Sequence, residues 1–205
     1  MSATTDRRER IVLFGGSFDP IHCAHLRLAQ AALAYDQIDQ VQFIPAGQPW
    51  QRAKLKASPT HRAAMVALAI QDESRFCLNP IEIEREGETY TIDTLHALPK
   101  GPAYFWLLGA DQLENFCSWN QWEAIAQTVT FLVACRPQHQ LTVPRPLQSL
   151  IDQGLARVET LPFEAMSTSA THVREQLAQG LAANDDVCPT VLNYINKHHL
   201  YQHTV

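Results

Sequence analysis

The apolar residues of this chain gather in short, nearly unbroken runs. Residues 11–14 (IVLF), 41–45 (VQFIP), 103–111 (AYFWLLGAD) and 128–137 (TVTFLVACRP) are the clearest. Each is too short for a buried helix, and unbroken apolarity marks strands covered on both faces. Helical spacing fills the intervals: Leu26, Ala29 and Leu33 recur on one face, as do Met65, Leu68 and Ala69 within residues 59–72. Residues 158–161 add a short strand, and residues 169–179 and 188–198 read as terminal helices. Strand and helix in alternation predict an α/β fold: a Rossmann-like, doubly wound parallel sheet with helices on both faces and a small C-terminal helical part. A length of 205 residues suits a single domain, 1–205, with residues 163–205 as its C-terminal helical subregion. Residues 48–59 and 136–146 are polar or proline-rich and read as irregular segments.

Apolar residues make up 46% of the chain and charged ones 18%, enough for a real core. The formal net charge of −5 argues against a nucleic-acid polymer as partner. It leaves room for a small nucleotide, which needs only a local cluster of donors. Five cysteines, at positions 23, 77, 117, 135 and 188, are scattered. They offer neither a zinc knuckle nor a closely spaced redox pair, and fit reduced thiols. The apolar run after the polar MSATTDRRER is too short for a secretory segment or a membrane span. The expectation is a soluble, cytoplasmic protein.

In an open parallel sheet, ligands bind beyond the carboxyl ends of the strands. That rule selects three stretches: residues 15–22, 109–111 and 135–136. The first, GGSFDPIH, ends a strand with Gly15 and Gly16, where a backbone free of side chains can approach a ligand closely. Ser17 and Phe18 continue the loop, and the helix beginning near His22 offers unpaired amides and a positive dipole end to an anion. His22 and His25, three residues apart, share one side of the first turn, where ring nitrogens can donate to phosphate oxygens. Spacing alone leaves a pair of structural histidines equally open, and a partial zinc site with Cys23 less so, for want of further ligands. Neither the Walker pattern nor G-x-G-x-x-G is present, so a redox dinucleotide enzyme has no fingerprint here.

A second cluster is Ser169, Thr171 and Arg174. Ser169 is a good helix N-cap, Thr171 lies in the first turn and Arg174 one turn on. Hydroxyls, amides and a guanidinium there can converge on one anion, although a capped helix with a solvated arginine has the same pattern. Gly109 and Asp111 close a buried strand at the ligand edge, where a carboxylate can accept from ribose hydroxyls or cap the next helix. Trp119 and Trp122, three apart, read as sharing a helix face. Asp93 reads as a helix-start residue.

GGSFDPIHCAHL resembles the signature of the nucleotidyltransferase superfamily, G-[ST]-F-D-P-x-H-x-G-H. Within it, YTIDTL, LLGAD, SWNQW, CRP and SATHVR occur in the order and separation of the bacterial nicotinate-nucleotide adenylyltransferases. That resemblance implies adenylyl transfer from ATP to nicotinate mononucleotide in NAD biosynthesis, giving nicotinate adenine dinucleotide and pyrophosphate. Other readings are transfer to another phosphate acceptor such as nicotinamide mononucleotide, or a nucleotide-binding regulator without turnover. The resemblance assigns Gly15, Gly16, Ser17, Phe18, His22, His25, Arg52, Gly109, Asp111, Ser169, Thr171 and Arg174 to ATP, with His22, His25 and Arg174 catalytic. It assigns Tyr90, Thr91, Asp111, Trp119 and Arg136 to the nicotinate nucleotide, with Trp119 stacked on the pyridine ring. Magnesium is implied on the ATP phosphates, with no metal site of the protein's own. The chain departs from the family pattern at Ala24, where glycine is usual, and at Gln51, where histidine is usual. Arg52 keeps a cation beside it, and Lys54 and Lys56 are further candidates for the pyrophosphate.

Overall fold

The computed structural model describes residues 7–49, 55–136, 141–164 and 166–202. Strand β1 (Arg10–Gly16) lies at the centre of a six-stranded sheet. On one side of it come β2 (Gln40–Pro45) and the short edge strand β4 (Phe76–Leu78); on the other, β6 (Ala103–Gly109), β7 (Thr130–Cys135) and β8 (Arg157–Pro162). Every pairing in this sheet is parallel. Taken in chain order, its strands run 3-2-1-4-5-6, the doubly wound order, with the reversal between β1 and β6. A separate two-residue parallel pair joins β3 (Gln48–Pro49) to β5 (Glu88–Thr89).

Successive strand residues point to opposite faces and feed two cores. Val12 and Phe14 of β1 pack with Phe105 and Leu107 of β6 and Leu132 of β7 on one face. Ile11 and Leu13 pack with Trp106, Leu108, Phe131 and Val133 on the other. The first face is covered by α1 (Cys23–Leu33), α2 (Pro59–Ile70), α7 (Ala170–Ala178) and α8 (Pro189–Lys197), the last two through Val173, Val191 and Ile195. The second is covered by α3 (Thr91–Ala97), α5 (Trp122–Thr128) and α6 (Arg145–Asp152), through Ile92, Ile125 and Leu147. The helix α4 (Ala110–Glu114) caps the carboxyl end of β6.

Local chemistry sets the helix starts. Ser58 accepts from the His61 amide, with Pro59 at the first position of α2. Ser169 does the same for α7 through the His172 amide. The polar stretch of residues 48–59 thus contains β3 and the cap of α2, and residues 145 and 146 already belong to α6.

Arg62, a cation on α2, is fully buried. Its Nη1 donates to the Ser17 carbonyl at 2.8 Å, and its Nη2 to the carbonyls of Ala46 at 2.6 Å and Gly47 at 3.2 Å. Nε reaches the Ala57 carbonyl at 3.3 Å. Burial opposes this charge, and the nearby carboxylates of Asp19 and Glu82 offset part of the penalty. The side chain ties the ends of β1 and β2 to the start of α2. Replacing it by methionine fills similar space but strands four acceptors. Arg62→Met is expected to lower the unfolding free energy by roughly 3 kcal/mol, read from urea titration.

Candidate active site

The loop after β1 is built around aromatic rings. Phe18 has a φ of 46° and a side chain with no exposed surface, edge-on to Phe14 and to His25 with ring centroids 5.4 and 5.0 Å apart. A Cβ on Gly16 would lie 2.9 Å from the Phe18 ring, and one on Gly15 would lie 2.9 Å from Trp106. Close aromatic packing is therefore a reason for both glycines beyond the ligand approach read from sequence. The Phe18 ring belongs to the core, so only its main chain is available to a nucleotide.

His22 is the N-cap of α1 and His25 its third residue. The His22 amide donates to His25 Nδ1 at 3.2 Å, the role a glutamate plays in a capping box. This bond leaves the proton of a neutral His25 on Nε2. The two imidazoles stack, with centroids 3.7 Å apart and planes 30° from parallel. His22 is buried, and its Nδ1 has no hydrogen-bond partner. Burial pulls its pKa down to about 4, against an opposing effect of the Asp186 carboxylate. Cys23 Sγ turns toward Thr168 and the Asp185 carbonyl. Ala24 lies inside α1, where an added methyl is sterically ordinary.

Arg174 comes to this loop from 155 residues away: its Nη1 donates to the Asp19 carbonyl at 2.7 Å. Its Nη2 donates to Thr171 Oγ1 at 3.1 Å, so the second cluster is internally bonded as well as docked. The structure thus brings His22, His25, Thr171 and Arg174 to one loop. Asp19, not singled out from sequence as a site residue, is its hub: buried, its carboxylate accepts the amides of Lys56 at 2.8 Å and Ala57 at 3.0 Å. Lys56 itself is exposed. Gln51, Arg52 and Lys54 lie outside the described residues.

Two clefts open at the carboxyl edge, on either side of the end of β6. The first is lined by Gly15, Gly16, Tyr90, Thr91, Leu108 and Trp119. Tyr90 is the N-cap of α3 and Thr91 its first residue, so the amide end of that helix faces the cleft. Asp93 lies in the first turn of α3, as read from sequence. Trp119 stands edge-on to Phe116 and Trp106. Trp119 and Trp122 do not share a helix: Trp119 has extended backbone just before α5, and Trp122 begins α5 after the left-handed Gln121. Of these two, Trp119 lines the cleft and Trp122 does not; Trp106 of β6 lines it as well.

Glu82 in the same wall was not foreseen. It is buried, accepts from Thr94 Oγ1 at 2.9 Å and from the Gly47 amide, and burial pushes its carboxyl pKa up. Gly47 passes so close that a Cβ there would lie 2.3 Å from the Glu82 carbonyl oxygen. The second cleft is lined by Gly109, Asp111, Cys135, Arg136 and Phe163. Arg136 and Asp111 therefore stand in the second cleft, apart from Tyr90, Thr91 and Trp119.

Residues 13–176 match the family model described as cytidylyltransferase-like. A Bordetella petrii protein named "Probable nicotinate-nucleotide adenylyltransferase" is 50% identical over 194 residues, spanning 95% of this chain and 100% of that one. This chain belongs to the nicotinate-nucleotide adenylyltransferase family. A Methylibium petroleiphilum member is 40% identical over 209 residues, 98% of this chain and 95% of its own. The Plasmodium falciparum nicotinic acid mononucleotide adenylyltransferase complexed with NaAD shares the fold, with a TM-score of 0.74 at 20% identity over 95% of this chain and 98% of that one.

In this adenylyltransferase the lowered His22 pKa sets a pH dependence of stability. Above about pH 6.5 His22 is neutral whether folded or unfolded. Between about pH 6.5 and 4 the unfolded chain takes up a proton that folded His22 refuses, so stability falls with pH and the loss levels off below about 4. His22→Asn is expected to remove about 2 kcal/mol of the stability change between pH 7.5 and 5, measured by urea unfolding at both pH values.

Proposed function

We infer that this protein transfers the adenylyl group of ATP to nicotinate mononucleotide, releasing pyrophosphate and forming nicotinate adenine dinucleotide. The observation that carries the reading is the bond from Arg174 to Asp19. It joins the guanidinium cluster to the histidine loop that follows β1, at the reversal of the sheet. Family membership supplies the chemistry that such a pair of clefts serves.

In this reading the nicotinate ring enters the first cleft. Its carboxylate meets the amide end of α3 at Tyr90 and Thr91, and the indole of Trp119 covers the pyridinium face. Gly109 and Asp111 meet the nucleoside of ATP from the second cleft, with Arg136 beside them. An oxygen of the mononucleotide phosphate attacks the α-phosphorus in line, and the bond to the bridging oxygen of pyrophosphate breaks. The attacking phosphate is already anionic near neutrality, so no side-chain base is needed. Catalysis is positioning plus stabilisation of charge on phosphate oxygens. His25 donates through Nε2, Arg174 adds a fixed positive charge, and His22 gains basicity as a polyanion settles beside it. Ser169 and Thr171 hold the end of α7 that carries Arg174.

Magnesium is the metal implied with ATP, and it neutralises phosphate charge when bound. Among the described residues no three His, Cys, Asp or Glu side chains converge on a metal position. The donors gathered at the phosphate end are imidazole, guanidinium and hydroxyl. They suit phosphate oxygens, so a hard cation there takes its ligands mainly from phosphate and water. No helix among the described residues is long and apolar enough to cross a membrane. A reaction that consumes ATP fits a cytoplasmic setting.

The test is to incubate the protein with ATP, magnesium and either nicotinate or nicotinamide mononucleotide, and to identify the dinucleotide by mass. Nicotinate adenine dinucleotide with stoichiometric pyrophosphate is expected. Nucleotide binding without product would mean a regulator. His25→Ala is expected to lower kcat by about a hundredfold or more with a much smaller change in ATP affinity, since its donor acts where charge develops. Near-normal turnover would remove His25 from the mechanism.

A further inference from the structure

The C-terminal turn reaches the same loop. Helix α8 ends at Lys197, and the chain reverses through His199, whose φ is 51°. The Leu200 amide closes the turn on the Ile195 carbonyl at 3.0 Å. Tyr201 follows with a second left-handed φ, 64°, a region disfavoured for an aromatic residue. In that conformation its ring packs against the core and its hydroxyl donates to Asp19 Oδ1 at 2.7 Å. Burial and the Asp19 carboxylate both push the phenol pKa up, so this oxygen acts as a proton donor at any working pH.

Asp19 thus takes three donors on its carboxylate, two of them amides of the chain just ahead of α2. Its own carbonyl is the seat of Arg174. Loss of the carboxylate's anchorage would loosen the Asp19 backbone that seats Arg174, and the chain at Lys56 and Ala57 with it. Tyr201 is a side-chain donor to this carboxylate, and it comes from the far end of the sequence. A packing role alone would be met by the ring without the hydroxyl. We propose that Tyr201 is a positioning residue for adenylyl transfer: its hydroxyl fixes Asp19, and through Asp19 the aim of Arg174. This rests on the reaction assigned above.

The experiment is Tyr201→Phe, which keeps the ring and removes the donor, alone and combined with Arg174→Lys. Expected for Tyr201→Phe are a Tm lowered by only a few degrees with the fold retained, kcat lowered about tenfold with KM for nicotinate mononucleotide unchanged, and faster hydrogen exchange of the Lys56 and Ala57 amides. Arg174→Lys should cost clearly less in the Tyr201→Phe background than in the parent, because a guanidinium already misdirected has less to lose. Wild-type kcat in Tyr201→Phe, unchanged exchange at Lys56 and Ala57, or strictly multiplicative effects of the two substitutions would each overturn the proposal. If the parent protein makes no dinucleotide, the assigned reaction fails by itself. The exchange rates then still decide the latch: protection that survives loss of the hydroxyl overturns it, and protection lost with it supports the hold on Asp19.

Discussion

Two guanidinium groups hold the loop between β1 and α1 by its carbonyl oxygens. Arg62 grips Ser17 from beneath, and Arg174 grips Asp19 from the side of the C-terminal helices. A loop that must present amides and imidazoles to a polyanion cannot be anchored by acidic side chains at its mouth without opposing the ligand. Carbonyl acceptors avoid this, because they satisfy a cation without adding a full negative charge. The carboxylate that is present, on Asp19, faces inward and is occupied by amides and a phenol. Positive character is thereby left at the mouth and negative charge kept below it.

The same separation appears on the acceptor side. Glu82 is buried under the first cleft, with its charge opposed by desolvation and its oxygens taken up by Thr94 and Gly47. Above it stand the start of α3 and the indole of Trp119, groups with positive or neutral faces toward the cavity. The histidine loop and the first cleft follow one plan: a buried acidic group braces the backbone from within, and amide or cationic groups face outward. A protein of net charge −5 can bind two anionic substrates this way, because local arrangement outweighs the total at contact range.

The central strands were legible because burial on both faces leaves an unbroken apolar run, and the helices between them because one face alternates at helical spacing. β4 was not, since three half-buried residues, Phe76, Cys77 and Leu78, leave no pattern long enough to read. The two-residue strands β3 and β5 fall below any periodicity. In the site, residues adjacent in sequence could be grouped: His22 with His25, and Ser169 with Arg174. That Arg174 shares a site with the two histidines came only through the family resemblance, and the hydrogen bonds made across the fold escaped. Arg62 looks like a solvated helix cation until its 45-residue reach to Ser17 is seen, and Tyr201 meets Asp19 over 182 residues. Arg136 shows the converse, since its place at a strand end was readable but the cleft it faces depends on how α4 and the chain around Phe163 close over β7.

The small pair of strands away from the main sheet has a mechanical meaning. Gln48–Pro49 is zipped to Glu88–Thr89, with Pro49 opposite Thr89, one residue before Tyr90. The chain that leads from the phosphate side is therefore stitched to the chain that leads into the pyridine cleft, by a route that bypasses the rigid core. A displacement of residues 48–49 is therefore passed directly to the residues that lead into α3, so this wall of the first cleft moves as one piece.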